Sequence, residues 1–372
     1  MQINLLGQRN LLGAGRHFSS FCDAFKLLNV VGDAVHEFDV FSREDYEKCM
    51  ASVGAGDVNI HFFDIKKIPP SLLKIRWPKL PGTNWHWAIF ESDKLFPEQV
   101  AWYADADLVL VPSKWGKQVL AQNGIEENKV AVVPEGVDAN IFHPSIRKFY
   151  RKDNVFRVLV LSKFEPRKGF PELLKGFSQA FSNDNSAQLV LKADSLYMLG
   201  RKDLSYNDNL QHLTDSIHSA GITNFKLIEG ALNDSEIFHL YNHCDLFLFP
   251  SRAEGWGLPL IEAIASGMPI LSTNYSGHSE FLNSIPNLFV ELATERAAVS
   301  EMEDLGYWAC STEEEIATKL KYCRANLEDL QESAYEASSI IRQKFNWREA
   351  ALTTLNTIRE RNHEALNFEI TL

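Results

Sequence analysis

Two glutamates, Glu254 and Glu262, stand eight positions apart in SRAEGWGLPLIEAIASGMPIL, residues 251–271. A carboxylate offers only acceptors, so such a pair suits the recognition of hydroxyls or the balancing of positive charge. Glu262 falls one turn inside the helix that Pro259 would start and Gly267 would end. Its Cβ tilts back toward the helix mouth, where it can accept from two neighbouring hydroxyls, as on a ribose. The mouth itself presents unpaired N–H groups and about half a positive charge, which makes an anion site. Gly255 and Gly257 let a ligand approach the main chain, and Glu254 stands beside whatever carries the anion. Alone, Glu262 is equally readable as a complement to the helix dipole, and Glu254 as a solvated loop acid. Together with the glycine turn, the proline and SGMPI, they point to a binding loop.

Three cations, Lys163, Arg167 and Lys168, follow an apolar run in VLSKFEPRKGF. Such a set neutralises phosphate, or is merely a solvated turn. Gly13 and Gly15 in LLGAGRHFSSF could bring backbone close to phosphates. A dinucleotide fingerprint needs a third glycine where Phe18 stands, so the motif is incomplete. His61 in NIHFFD, His86 in NWHWAIF and Glu91 in AIFESDKL end or interrupt apolar runs. A histidine among aromatics is also what a satisfied core residue looks like. Asp105 and Asp107 in WYADADLVLVPS copy a metal-binding D-x-D, but Asp107 only precedes a buried strand.

The elements that must position these residues are short β-branched runs alternating with helical patterns, the signature of parallel α/β sheets. QINLL, DVNIHFF, WHWAIFE, DLVLVPS and KVAVVPE predict strands in the first half, and FRVLVLSKF, AQLVLKA, FKLIEGA, DLFLFPS and PILSTNY in the second. The stretch 136–154 reads as the linker, and the pattern after Glu313 is helical to the end. Within the helix at 258–267, Ile261, Ile264, Ala265 and Met268 follow helical spacing and are expected to face the sheet.

A chain of 372 residues, 45% hydrophobic and 23% charged, is expected to form two domains. A net charge of −12 argues against nucleic acid as a partner. The five cysteines are scattered without a C-x-x-C pair, which suits a reduced compartment and offers no zinc site. No signal peptide and no run of roughly 18–20 apolar residues is evident, so a soluble, cytoplasmic protein is expected.

EGWGLPLIE resembles the E-x7-E motif of retaining GT-B glycosyltransferases of glycosyltransferase family 4. The resemblance continues in VLSKFEPRKGF, in ADLVLVPSKWGKQVLAQNGIEENKVAVVPEGVDANIFHP, in TNYSGHSEFL and in FNWREAALTTL, covering most of residues 100–360. It implies an α/β GT-B fold: two Rossmann-like domains facing across a cleft, with a C-terminal helix crossing back to the first. The implied domains are 1–148 for the acceptor, 149–344 for the nucleotide sugar, and a helix over 345–372. The implied activity is metal-independent, retaining transfer of a hexose from a UDP- or GDP-sugar to a hydroxyl of a glycan or lipid-linked acceptor, with no cofactor. Glu254, Lys168 and Lys163 would be catalytic. Glu262, Gly255, Trp256, Gly257, Leu258, Arg167, Gly13 and Gly15 would hold the donor, Glu262 on the ribose and Glu254 at the sugar. His61, His86 and Glu91 would line the acceptor side. Lysine at 163 departs from the arginine more usual there and loses the bidentate fork, which Arg167 would partly supply.

One stretch opposes the acidic average. In IKKIPPSLLKIRWPK, residues 65–79, five cations alternate with Ile, Leu and Trp. Such a surface would rest on an anionic membrane from the cytoplasmic side, or is a solvated loop packing its apolar residues inward. A silent sugar-nucleotide-binding subunit and a GT-B epimerase or phosphorylase remain open alternatives, because fold does not fix chemistry.

Overall fold

The computed structural model describes residues 2–9, 13–28, 35–40, 43–62, 79–144, 153–182, 184–194, 206–300 and 304–361. By its contacts the chain divides into two units, Met1–Gly136 with Phe345–Leu372, and Val137–Lys344.

In the first unit the apolar runs become β1 (Ile3–Gly7), β2 (Val35–Asp39), β3 (Val58–His61), β4 (Thr83–Trp87), β5 (Leu108–Val111) and β6 (Val130–Val132). They form one sheet in the order β2-β1-β3-β4-β5-β6, with every neighbouring pair parallel. Connecting them are α1 (Gly13–Leu27), α2 (Arg43–Ser52), α3 (Pro97–Asp105) and α4 (Lys114–Gln122), the last capped by Ser113 accepting from the Gly116 N–H at 3.1 Å. β1, β3 and β5 are buried throughout, as strands covered on both faces must be.

A row of asparagines crosses this sheet at matching register, Asn4 to Asn59 to Asn84. Asn4 donates to Asn59 Oδ1 at 2.8 Å, Asn59 to Pro81 O at 2.9 Å and Asn84 to Leu80 O at 2.8 Å, which offsets the cost of burying their amides.

In the second unit β7 (Phe156–Lys163), β8 (Ala187–Asp194), β9 (Phe225–Leu227), β10 (Leu246–Phe249), β11 (Ile270–Ser272) and β12 (Val290–Glu291) form a parallel sheet in the order β12-β11-β10-β7-β8-β9. Its helices are α5 (Phe170–Phe181), α6 (Tyr206–Ser219), α7 (Asp234–His243), α8 (Leu258–Ala265), α9 (Ser279–Leu282), α10 (Glu313–Ala325) and α11 (Leu327–Lys344). α5 shows why they form: Phe170, Leu173, Leu174, Phe177 and Phe181 recur at helical spacing and join one core with Val158, Leu189 and Leu246. The chain lays down β7, β8 and β9 in one direction, then returns to place β10 on the other side of β7. The β7–β10 pair is therefore the topological switch point, and ligands of such sheets bind outside the strand carboxyl ends there.

Two features fall outside the expected strands. β2 and β12 are edge strands, and β13 (Glu295–Ala298) pairs antiparallel with β14 (Tyr307–Cys310) in a hairpin apart from both large sheets. The last helix, α12 (Trp347–Arg361), belongs to the first unit. Its Ala350, Ala351, Leu355 and Ile358 share a core with Phe18, Phe21 and Phe25 of α1. A Cβ on Gly136 would stand 2.1 Å from the Trp347 N, so only glycine lets these two segments touch. Among the described residues no helix is long and apolar enough to cross a membrane.

Candidate functional site

The two strands at the switch point of the second unit each end in a loop that carries the singled-out residues. β7 ends on Lys163, whose side chain is half-buried. The chain then makes a single 3₁₀ turn, Pro166–Lys168, and leaves it at Gly169 with φ +67°. A Cβ at Gly169 would lie 2.7 Å from Pro250 O, so this turn rests directly on the end of β10. Hydrogen bonds to main-chain carbonyls fasten the loops together: the Arg252 N–H donates to Arg167 O at 2.8 Å, and the Thr273 hydroxyl donates to Ser251 O at 2.6 Å.

Glu254 sits in the middle of this junction, 6% exposed. Its Oε1 accepts from the Lys168 ammonium and the Ser251 hydroxyl, and its Oε2 lies 3.0 Å from Arg167 Nη1. Arg167 also donates to Ala253 O at 2.6 Å, and Nη2 stands 3.4 Å from Glu165 Oε2. The Glu254 N–H donates to Ser276 Oγ at 2.8 Å. Burial alone would raise the carboxyl's pKa. The charges of Arg167 and Lys168, with the hydrogen bonds from Lys168 and Ser251, win, and hold it well below the usual carboxylate range. Burial and the neighbouring Arg167 push the Lys168 ammonium down, against the pull of Glu254. The result is a buried carboxylate fixed in its ionised form between two cations.

The glycine turn beyond it is packed from below. Gly257 has φ +102°, and its Cβ would stand 3.3 Å from that of His278. A Cβ on Gly277 would overlap Gly255 O at 1.9 Å, and the Gly277 N–H donates to Glu254 O at 2.9 Å. Trp256 is buried with its ring 5.1 Å from Phe281, so it anchors the turn, while Leu258 opens α8 half-buried. Gly267, at φ +70°, follows α8 as expected, and Ile261, Ile264, Ala265 and Met268 are buried. At the mouth of α8 Pro259 carries no N–H and the Leu260 N–H already donates to Gly257 O at 3.0 Å, so the opening of the helix offers the main-chain N–H of Leu258. Glu262 is 2% exposed within α8; the Tyr241 hydroxyl stands 3.3 Å from its Oε2 and donates to Pro259 O at 2.8 Å.

Residues the sequence did not single out complete the junction: Ser251, Ser276 and His278. His278 is fully buried, and burial pushes its pKa down to about 4, so the ring is neutral at pH 7. Its Nε2 donates to Thr273 O at 2.9 Å, and its Nδ1 has no hydrogen-bond partner. The sequence signal for Ser276 and His278 is the small-residue stretch TNYSGHSEFL, and Ser251 is the first residue of SRAEGWG.

Gly13, Gly15, His61, His86 and Glu91 lie in the first unit. Gly13 is the first residue of α1, and Gly15 is buried in its first turn. His61 and His86 are register partners on β3 and β4 with ring centroids 5.1 Å apart. His61 Nε2 bonds Asn84 Oδ1 at 3.1 Å, and His86 stacks on Trp102 at 4.4 Å. Both are buried; burial lowers the pKa of His61 to about 4 and that of His86 well below its ordinary value. Glu91 follows β4, partly buried. A further pair went unread in the sequence: His17 Nδ1 lies 2.9 Å from Glu135 Oε1, both almost fully buried, with the ring 4.6 Å from Trp87 and 5.7 Å from Trp347.

Residues 65–78 of the basic stretch lie outside the described residues; Lys79 Nζ stands 4.0 and 3.7 Å from Asp105 and Asp107. Asp107 accepts from the Asn84 N–H at 2.7 Å, which makes it a bond between neighbouring strand ends. Among the described residues no group of three or more His, Cys, Asp or Glu side chains is placed to hold a metal ion.

Residues 143–298 match the family model described as glycosyl transferases group 1. That segment is similar to the family. The matched segment holds both glutamates and all three cations of the junction. Mannosylfructose-phosphate synthase of Agrobacterium fabrum, another relative, is 28% identical over 199 residues, 50% of this chain and 43% of its own length. The chain spans about half the length of the curated relatives it matches. Among solved structures, Anabaena Alr3699/HepE in complex with UDP-glucose aligns at a TM-score of 0.71 over 97% of this chain and 100% of that one, at 19% identity. Sucrose-phosphate synthase of Thermosynechococcus elongatus aligns at 0.69 over 98% and 100%, at 14% identity. These likenesses show the fold, the GT-B fold of two Rossmann-like units with a C-terminal helix returning to the first.

Proposed function

We propose that this chain is a glycosyltransferase that moves a hexose, with retention and without a metal, from a nucleoside diphosphate sugar to a hydroxyl of a glycan or lipid-linked acceptor. The observation that carries the reading is the Glu254–Lys168–Arg167 junction at the switch point of the second unit, with the amino end of α8 beside it. The group 1 glycosyl transferase match over the same residues supports it.

In this reading the anomeric carbon–oxygen bond to the diphosphate breaks while the acceptor oxygen attacks from the same face. The acceptor proton passes to the leaving phosphate oxygen. Negative charge gathers on that phosphate, where Lys168, Lys163, Arg167 and the Leu258 N–H would stabilise it; one such group is typically worth ~10²–10³ in rate. Glu254 would face the donor sugar and Glu262 the ribose. The first unit would take the acceptor, with His61, His86 and Glu91 on that side, and Gly13 and Gly15 in the first turn of α1 would serve the donor phosphates. The enzyme would act in the cytoplasm, with residues 65–79 resting on anionic headgroups of a membrane; sedimentation with anionic liposomes at low salt tests that contact.

The deciding experiment is thermal stabilisation of the wild type and of Glu262→Ala by UDP, GDP, ADP and their sugar conjugates. A ligand at 100 times its Kd adds about 2.7 kcal/mol. A shift by one nucleotide class in the wild type and not the variant fixes the donor, and transfer to an acceptor then follows by product analysis. No shift by any nucleotide, in protein shown to be folded, overturns the reading.

A further inference from the structure

The β13–β14 hairpin is joined to neither large sheet, yet it touches the chain two residues before Glu254. Ala309 of β14 donates its N–H to Arg252 O at 3.1 Å, while the Arg252 N–H is bonded to Arg167 O on the other side. Residue 252 is thus held through its main chain between the turn after β7 and the hairpin. Its side chain is held as well: the guanidinium carbon lies 5.9 Å from the Trp308 ring centroid, and Nη2 pairs with Glu172 Oε1 of α5 at 2.7 Å, both partners largely buried. The hairpin has its own stiffening. Arg296 on β13 stacks over Tyr307 on β14 at 3.7 Å, and four residue pairs are in register.

From this geometry we infer that the hairpin is a brace for the Glu254 loop and that Trp308 is a positioning residue for the transfer reaction. The inference rests on the functional reading above for its catalytic consequence, though not for the brace itself. The physical reason lies in the loop. Residues 252–257 must follow a strand, turn through two glycines and hold an ionised carboxylate in register with two cations. Glycines supply no side-chain packing, so the loop needs support from outside its own sequence. Trp308 gives that support through a cation–π contact that fixes Arg252, the residue from which the turn departs. Misplacement of a reacting geometry by about 1 Å from outside the site can cost ~10²-fold in rate.

Two readouts test this. Amide hydrogen exchange of the peptide spanning 252–257 is followed in Trp308→Ala, in Trp308→Phe and in Arg252→Met, each checked for wild-type melting of the remainder. Alongside, kcat and KM for the nucleotide sugar are measured. The brace predicts faster exchange in Trp308→Ala and Arg252→Met, with kcat reduced about tenfold or more and KM moved by about twofold or less. Trp308→Phe keeps a ring for the guanidinium and recovers most of both. Should Trp308→Ala fail to fold, Arg252→Met carries the same test without touching the hairpin's sequence. Unchanged exchange at 252–257 overturns the brace, and unchanged kcat with faster exchange overturns the positioning role. A wild type inactive with every nucleotide sugar refutes the functional reading alone, since the exchange comparison still decides the brace.

Discussion

Replacing Glu254 by glutamine keeps the side chain's shape and removes its charge. Lys168 and Arg167, 9% and 12% exposed, would then remain buried without the carboxylate between them. Removing one partner of a buried ion pair costs about 3–5 kcal/mol, because the other charge stays desolvated. Arg167 keeps its bonds to Ala253 O and Glu165, so the lower end, about 3 kcal/mol, is expected. For a unit of roughly 200 residues that lowers the Tm by about 6–12 °C. A nucleoside diphosphate changes the comparison. Its phosphates would meet the uncompensated cations, so the gap between variant and wild type should narrow when UDP or GDP is added, while transfer is lost. Rising pH should narrow it too. Burial and Arg167 still depress Lys168, while Glu254, the larger of the two groups that raised its pKa, is gone and only Glu165 remains, so the ammonium sheds its proton at lower pH than in the wild type. Thermal melts at pH 7.5 with and without each nucleotide, and a second series toward pH 9.5, are sufficient. A gap that is negligible, or that nucleotide leaves unchanged or widens, refutes the argument that Glu254 offsets the charge of a phosphate site.

Acid should destabilise the fold at a pH above that at which Glu254 contributes. His61 and His278 have pKa values held near 4 by burial, against about 6.5 when unfolded, and His86 is lowered as well. Between these values the unfolded chain binds protons that the native chain refuses, so stability is full above about 6.5 and falls as the pH drops toward 4. Glu254, with its pKa depressed, adds its own loss only below its ordinary 4.5. Melts from pH 7.5 to 4.5 should show this slope, and His278→Asn should flatten it; a variant as steep as the wild type would count against His278. Gly277→Ala should cost about 1–3 kcal/mol and abolish nucleotide-induced stabilisation, because its Cβ meets the main chain at Gly255 O. Gly56→Ala, with open space around it, should stay within about 0.5 kcal/mol by the same melts, and equal effects at the two glycines would refute the steric account.

The parallel strands were legible because burial on both faces writes them as unbroken apolar runs, as in LVLV of β5 and LFLF of β10. Two of the strands that were missed, β2 and β13, lack that signature. VHEFD of β2 is a half-exposed edge strand, and ERAA of β13 buries almost nothing, so neither differs by composition from a loop. The binding loop was legible for the opposite reason: its acid, glycines and proline are local, and each acts on the backbone within a few residues.

What spacing cannot show is a pair brought together by topology. Lys168 and Glu254 are 86 positions apart and meet only because the chain returns across β7 before laying down β10. That meeting is also a requirement. Arg167 and Lys168 are sequence neighbours whose charges repel, and in a buried turn this repulsion must be offset by an anion from elsewhere. The carboxylate at 254 is therefore demanded twice. The fold needs it to hold two cations together at a buried strand end, and the proposed chemistry needs those cations where a diphosphate would gather charge. Alanine at 254 would fail both demands, and glutamine only the electrostatic part of each, so a comparison of the two variants would separate the loop's packing from its charge.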